Sequence, residues 1–467
     1  MIASPFLTST PAARADGLST GAAAVKITPP VGTPMAGYYH ERGAQGVHDD
    51  LYAKAIVIES AGAKAALVAL DLISTTREMV EAARREIEAV TNIRGDAVMI
   101  SATHAHTGPV LAGPSAMTKL IGGQSPLAIQ FSSSLPNKIA DAVKQADQRL
   151  RPSALTLGHA HESSIAFNRR FHMTDGSVGW NPGKLNPKII KAAGTIDPDV
   201  AIAYFESPDH LPIAAYVNYA VHLDNVGGQQ FSADLPFTLS KLLAEALGPE
   251  LVTMFTAGCC GDVNHIDVNW ARPQGGFGNA ARMGTILAAD VLRALPAMKP
   301  IQPRQLRTRT ATVKLPLREV SSDDITKARA IALALENKKV PVPPFLTQVE
   351  AFKVLDVVAQ KGQPWQVEVQ VIALDDQIAW VSLPGEIFVE LGLAIKQDSP
   401  FPHTVIAELA NGVIGYIPSR RAYPQGNYEV ISARCAPGSG ETLVDTAVRL
   451  LHALHNEARA SQPSRSR

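Results

Sequence analysis

Cysteine is scarce: the 467 residues hold three, too few for a disulfide framework, and Cys259 and Cys260 are neighbours that could bridge each other only under strain. Surplus charge is absent as well. Lys and Arg number 43, Asp and Glu 43, and the one basic run is the short tail 459–467. The basic face that nucleic acid requires is missing, so no nucleic-acid partner is expected. No uninterrupted apolar run reaches the roughly 18–20 residues that cross a bilayer; in the best candidate, 286–295, Asp290 and Arg293 intervene. The chain also lacks a G-x-S-x-G elbow, which counts against a serine hydrolase. Gly275-Gly276-Phe277-Gly278 has no strand before it, so it reads as a loop and not as a dinucleotide cradle.

What is present is a globular composition, 46% hydrophobic with 34 Gly and 33 Pro, which allows a large core ringed by long loops. Ala13-Arg14-Ala15 has the form of a signal-peptidase site, although no basic start or apolar stretch precedes it. Residues 1–20 therefore read as a flexible N-terminus or the remnant of an export signal. Runs rich in Val, Ile, Leu and Ala at 54–59 and 65–71 predict buried strands joined by a hairpin at 61–64. Met79, Val80, Ala83, Ile87 and Val90 share one face of a helix over 76–90. A strand at 97–101 completes a strand, helix, strand crossover, the unit of α/β folds. The alternation continues with helices at 129–150, 238–247 and 279–295 and strands at 201–204, 213–221 and 251–255. Residues 296–303 read as a linker to a second block, with helices at 322–335, 387–396 and 440–456 and strands at 366–374 and 378–383. The polar, Gly- and Pro-rich stretches 175–188 and 418–428 read as surface loops.

Several of these strands are followed at once by groups that ligate metal or move protons. Asp71 ends one; His104 and His106 follow 97–101; His222 and Asp224 follow 213–221; Cys259, Cys260 and Asp262 follow 251–255; Glu386 follows 378–383. Sites in open α/β sheets collect at the carboxyl ends of strands, so convergence is expected if these strands share one sheet. In Thr103-His104-Ala105-His106-Thr107-Gly108-Pro109 the two imidazoles are two residues apart. On extended backbone both would face one centre, one as ligand and one beside it. Each group alone has a plainer reading: loop histidines, a satisfied buried His222, a Glu386 that favours a first helical turn, a half-buried Tyr416. The vicinal cysteines read better as a turn of small buried residues than as metal ligands. Together, two neutral imidazoles and a carboxylate are the ligand set of a catalytic zinc site, and the chemistry that follows is hydrolysis.

The Thr103 to Pro109 motif resembles the T-H-T-H-S-G-P signature of the neutral/alkaline, non-lysosomal ceramidases. Other stretches fall in that family's order: Met35-Ala36-Gly37-Tyr38 with Gly46-Val47-His48, Asn168-Arg169-Arg170, the strand end at His222, Gly261-Asp262-Val263, Pro384-Gly385-Glu386, and Gly415-Tyr416 followed by Tyr428-Glu429. The resemblance implies that zinc is held by His104, His222, Glu386 and Tyr416. It also implies that His106, Arg169 and Tyr428 face the substrate, positioning an amide and stabilising the oxyanion. Two departures stand out. Asn264 occupies the place of the family's serine in G-D-V-S, and the chain ends soon after the last motif, without the immunoglobulin-like C-terminal domain of longer ceramidases.

The expected architecture is accordingly α/β, with mixed sheets and helices packed on them. A ceramidase-like zinc hydrolase domain spans 21–458, with sub-blocks 21–296 and 304–458, and a disordered tail covers 459–467. The leading functional expectation is a zinc-dependent amidohydrolase that cleaves an N-acyl substrate such as ceramide. The alternatives are a zinc hydrolase of a smaller ester, lactone or amide, and a non-catalytic zinc-binding protein. The substrate would be a small molecule or a lipid, with transient contact at a membrane surface, and the resemblance favours a secreted or periplasmic location over a cytoplasmic one.

Overall fold

Runs of alanine and branched aliphatic residues leave no polar face, as suits strands buried on both sides. Ala63–Leu70 is buried from Ala65 onward and Val98–Ala102 throughout. In the computed structural model, which describes residues 17–337 and 341–460, these two strands pair in parallel on either side of the helix Arg77–Thr91. That helix starts where the Thr76 hydroxyl accepts from the Met79 N–H at 3.2 Å. It buries Met79, Val80, Ala83 and Ile87, and it stops at Asn92, whose φ of 60° is a left-handed cap.

Three sheets repeat this plan. The first runs Val98–Ala102, Ala63–Leu70, Tyr52–Ser60, Ser19–Lys26, Arg151–Pro152. The second runs Val252–Ala257, Pro212–Tyr219, Asp199–Glu206, Ala154–His161, Lys299–Ile301; its parallel pair, Pro212–Tyr219 with Val252–Ala257, is spanned by the helix Leu235–Leu247. The third runs Leu306–Leu315, Trp365–Leu374, Ile378–Ser382, His403–Ala407, and Val389–Asp398 spans its parallel pair, Ile378–Ser382 with His403–Ala407. The first sheet packs with the helices Arg77–Thr91 and Pro126–Gln148 in a cluster that also takes in Phe205 and Tyr216 of the second sheet and Ile372 and Trp380 of the third; the second sheet also packs with Leu235–Leu247 and Phe277–Ala294, and the third with Val389–Asp398 and Ser439–Ala460.

The mixed sheets and packed helices are as expected, but the condition under which convergence was expected, one sheet shared by these strands, is not how it comes about. The site-bearing strands belong to three sheets, and convergence arises because the carboxyl ends of the three parallel pairs meet. Segment 408–411 laces them together: Glu408 N–H donates to Ala257 O at 3.0 Å, Asn411 N–H to Ile100 O at 2.8 Å, and Leu409 O accepts from Ala102 N–H at 3.2 Å.

Other differences are local. The expected linker 296–303 contains Lys299–Ile301, which is an edge strand paired to Ala154–His161. Segment 175–188 is not wholly loop, since Val178–Trp180 forms the edge of a three-stranded sheet with Arg170–Met173 and Ile189–Ala192. Likewise 418–428 contains a 3-10 turn, Arg420–Gln425, and opens the short helix Tyr428–Ser432. The helix expected from 387 begins at Val389, because Glu386–Ile387 pairs in parallel with Tyr416–Ile417. The first strand starts at Ser19, inside the segment expected to precede the fold, and the last helix runs to Ala460, past the expected start of the tail. The sequence Ala13-Arg14-Ala15 and the remainder of the tail, 461–467, lie outside the described residues. Among the described residues no helix is long and apolar enough to cross a membrane.

Candidate metal centre

Each ligand-type side chain is delivered by the end of a parallel strand and then pinned. His104 follows Val98–Ala102; its Nδ1 donates to Ile73 O at 2.8 Å, which leaves Nε2 with a free lone pair. Its φ is 74°, so the His-x-His pair does not lie on extended backbone as expected, and a left-handed turn aims it instead. His222 follows Pro212–Tyr219. Its Nδ1 donates to Cys260 O at 2.8 Å and Val263 O at 3.0 Å, which frees its Nε2 in the same way. The two-residue ladder that pairs Glu386 with Tyr416 sets carboxylate and phenol side by side. Gly261 makes the approach feasible, for a Cβ there would lie 2.5 Å from Glu386 O. Gly37 does the same for His106, with φ 103° and a Cβ position 2.5 Å from His106 O.

The free atoms converge. The ligand atoms of His104, His222 and Glu386 all lie within 4.8 Å of one another. His222 Nε2 is 3.3 Å from Glu386 Oε2 and 3.3 Å from the Tyr416 hydroxyl, and His104 Nε2 is 3.4 Å from the same Glu386 oxygen. A tetrahedral zinc with bonds of about 2.0–2.1 Å places its ligand atoms about 3.3–3.4 Å apart. The side chains therefore fit such an ion, and the cluster could hold one. Burial would raise Glu386, but the adjoining imidazoles of His104 and His222 outweigh this and hold it well below the usual carboxylate range. Burial and the nearby Arg169 push His222 down to about 4.

A second layer of charge and aromatic surface surrounds the cluster. Arg169 reaches it because Val263–Asn264 pairs with Phe167–Asn168 and Arg169 N–H donates to Asp262 O at 2.9 Å. The Arg169 guanidinium donates to Tyr416 Oη at 3.0 Å, Gly261 O at 2.7 Å and Glu429 Oε1 at 2.8 Å. Glu429 also accepts from Arg170 at 2.7 Å, which makes a fully buried Arg169–Glu429–Arg170 triad. Tyr428 packs edge-on to Tyr416 at 5.4 Å and stacks on Trp180 at 4.4 Å and on Phe345 at 5.9 Å. Burial raises Tyr428 to about 12. His106 Nε2 lies 3.3 Å from His104 Nε2 and, pushed down to about 3 chiefly by burial and by the adjoining His104 imidazole, is neutral.

The remaining strand-end groups serve other purposes. Asp71 accepts from Tyr52 N–H at 2.9 Å, away from the cluster's ligand atoms. Asp262 accepts from Asn168 and from Val389 N–H. Cys259 and Cys260 are buried free thiols in the turn behind His222, and Cys260 donates to Glu408 at 3.0 Å. Asn264 is buried, with its amide committed to Asn181 Oδ1 at 3.1 Å and to Ile266 N–H at 3.1 Å. Sequence reasoning gave no site role to Trp180, Phe345, Tyr39, Glu429 or His265. Glu429 left a trace as the residue beside Tyr428, and Asp224 was marked as a strand-end group without its partner His265. Burial alone would raise Asp224, yet His265 outweighs it and holds the carboxyl far below its ordinary range.

Residues 19–226 match the family described as neutral/alkaline non-lysosomal ceramidase, N-terminal. Among curated proteins none matches the chain. Among solved structures it is similar to the neutral ceramidase from Pseudomonas aeruginosa, with 20% identity and a TM-score of 0.75 over 94% of this chain and 75% of that one. A structure described as ceramidase complexed with C2 is matched at 19% identity and TM-score 0.75, covering 94% of this chain and 76% of that one. Identity at this level speaks to the fold, which is the mixed α/β architecture of those catalytic domains. The family match thus covers residues 19–226, and over the rest of the chain the likeness to the neutral ceramidase structures is one of fold.

Proposed function

We propose that this protein is a zinc-dependent hydrolase that cleaves the amide bond of an N-acyl substrate, with ceramide, split to sphingosine and fatty acid, as the type case. The observation that supports this most is the spacing of His104, His222, Glu386 and Tyr416, with the second nitrogen of each imidazole already tied to a carbonyl. These four side chains would hold the ion. When bound, zinc supplies a water acidified to near neutrality and an electrophile for the carbonyl. The chain's own groups do the rest. Arg169, fixed in advance by Gly261 and Glu429, acts with Tyr428 to orient the amide and to stabilise the charge that develops on its oxygen. Neutral His106 offers a hydrogen-bonding nitrogen beside His104, within reach of a proton in transit. Trp180, Phe345 and Tyr39 wall the hollow and keep bulk water out; the buried Trp180 indole N–H has no partner among the described residues.

A cavity of ≈ 830 Å³ adjoins this wall, lined by Tyr38, Tyr39, Leu120, Leu335, Val342 and Phe345 among others. Its size suits an acyl chain, with His40, Glu41 and Gln348 adding polar groups to the lining, and exposed Val342 and Phe345 are where a lipid surface would touch. The second reading, a smaller ester, lactone or amide, is favoured by Asn264, whose amide is committed to protein partners where the family carries a serine. Under either reading residues 21–458 act as one catalytic domain, in an extracellular or periplasmic location.

Metal analysis of the purified protein, with hydrolysis of fluorogenic ceramide and of short-chain amides and esters before and after chelation, tests this. We expect bound zinc, chelator-sensitive turnover and loss of both in His104→Ala. Turnover confined to soluble substrates would reject the lipid assignment. Zinc without turnover would leave a binding protein, and a fully active His104→Ala would reject the metal mechanism.

A further inference from the structure

Outside the ligand set, one charged pair has its carboxylate on the segment that follows His222. Asp224 follows His222 by two residues, and its Oδ1 accepts from His265 Nδ1 at 2.9 Å. The His265 side chain is 4% exposed and that of Asp224 29%, so the imidazole end is sealed and the carboxylate end is open. His265 is held further by a hydrogen bond to the Gln274 backbone. The segment is tied to the site by Leu223 O, which accepts from His106 N–H at 3.2 Å. After His265, His106 and His222 are the imidazoles that act on Asp224. Among the described residues nothing bonds to its Oδ2.

A partly desolvated carboxylate oxygen without a partner gains little for the fold, since water no longer serves it fully. It is well placed to accept a bond from a ligand. With its other oxygen clamped by a buried imidazole, it needs little reorganisation to do so. Resting on the hydrolase reading above, we infer that Asp224 is a specificity-determining residue that accepts a hydrogen bond from an O–H or N–H donor carried near the scissile nitrogen. Substrates are then N-acyl amines that bear such a donor on the leaving group, in preference to plain N-acyl alkylamines. His265 is the positioning residue that aims the carboxylate.

The test uses the full-length, zinc-loaded protein and three amides that share one acyl chain: N-acyl ethanolamine, N-acyl ethylenediamine and N-acyl propylamine. Wild type should favour the donor-bearing amides over the propylamine by about tenfold or more in kcat/KM, the scale of a hydrogen bond to a charged group. The better of the two identifies hydroxyl or ammonium as the natural donor. Asp224→Asn and Asp224→Ala should largely abolish that preference. Because the ratio is read within one variant, it is insensitive to a general loss of folded or metal-loaded protein. No preference in wild type, or a preference kept in both variants, would overturn the inference while leaving the hydrolase reading intact. If wild type cleaves no amide, the amide reading falls, and the same ratio on the 2-hydroxyethyl and propyl esters decides Asp224 separately. Failure on both classes removes both.

Discussion

Replacing Glu429 by glutamine probes whether a buried charge triad sets up the site as much as the ligands do. The carboxylate is fully buried and accepts from Arg169 Nε at 2.8 Å and Arg170 Nη1 at 2.7 Å; the two guanidiniums are 3% and 2% exposed. Unit charges about 4 Å apart attract by about 4 kcal/mol at an effective dielectric of 20. Two such attractions would vanish, and the cheaper burial of an amide returns only part of them. Stripping one partner from a buried ion pair costs about 3–5 kcal/mol, and that is the loss expected for Glu429→Gln, because two guanidiniums would be left facing a group that donates as well as accepts. Urea unfolding followed by tryptophan fluorescence reads the change as a lower midpoint at constant slope. Arg169 would also lose its fixed aim at Tyr416, so turnover should fall by about tenfold or more while zinc stays bound. Adding Arg170→Met should restore part of the stability by removing one stranded charge. A Glu429→Gln protein as stable and as active as wild type would refute the reasoning.

Tyr416→Phe removes the phenol oxygen, the fourth ligand-type atom and one of the acceptors of Arg169. Zinc should remain on His104, His222 and Glu386 while turnover falls about 10²-fold, the scale for losing one preorganised polar group; unchanged turnover excludes a role for the phenol. Gly261→Ala drives a methyl to 2.5 Å from Glu386 O, with an expected cost of about 1–3 kcal/mol and faster zinc loss to a competing chelator. A variant with unaltered melting and zinc retention contradicts the close approach. Asp199 is held down to about 2: burial would raise it, but bonds from His159 and Lys396 outweigh that. Its folded-state value is depressed, so its contribution of about 2 kcal/mol is complete above about pH 4 and disappears as pH falls through 2. Asp199→Asn should therefore differ from wild type in stability at neutral pH and converge with it in acid; a gap that widens in acid has the wrong sign.

Much of the fold could be read from local pattern. The crossover around the helix Arg77–Thr91 was legible because its strands are continuously apolar and its helix is amphipathic. Leu306–Leu315 was not, since its alternating arginines and threonines put polar groups on both faces, each of them partly exposed. Nor was Ser19–Lys26, whose run of alanines carries weak strand preference until its neighbours bury it. At the site, His104, His222 and Glu386 were marked by following strands. The lacing at 408–411 left no such mark, because its bonds run between backbone groups far apart in sequence. Trp180 and Phe345 were hidden in stretches with polar or Pro-rich neighbours, and the Asp224–His265 pair, 41 residues apart, required tertiary coordinates. The left-handed turn at His104 likewise escapes a rule written for extended backbone.

That His104, His222 and Glu386 hang from three different sheets makes the centre a keystone in the architectural sense. An N-terminal fragment ending near residue 296 carries both imidazoles and no carboxylate, and the complementary fragment carries carboxylate and phenol with no imidazole. Neither half can assemble the cage, so competence for the ion arrives only when all three sheets have docked, and metal capture would announce that the chain has finished folding.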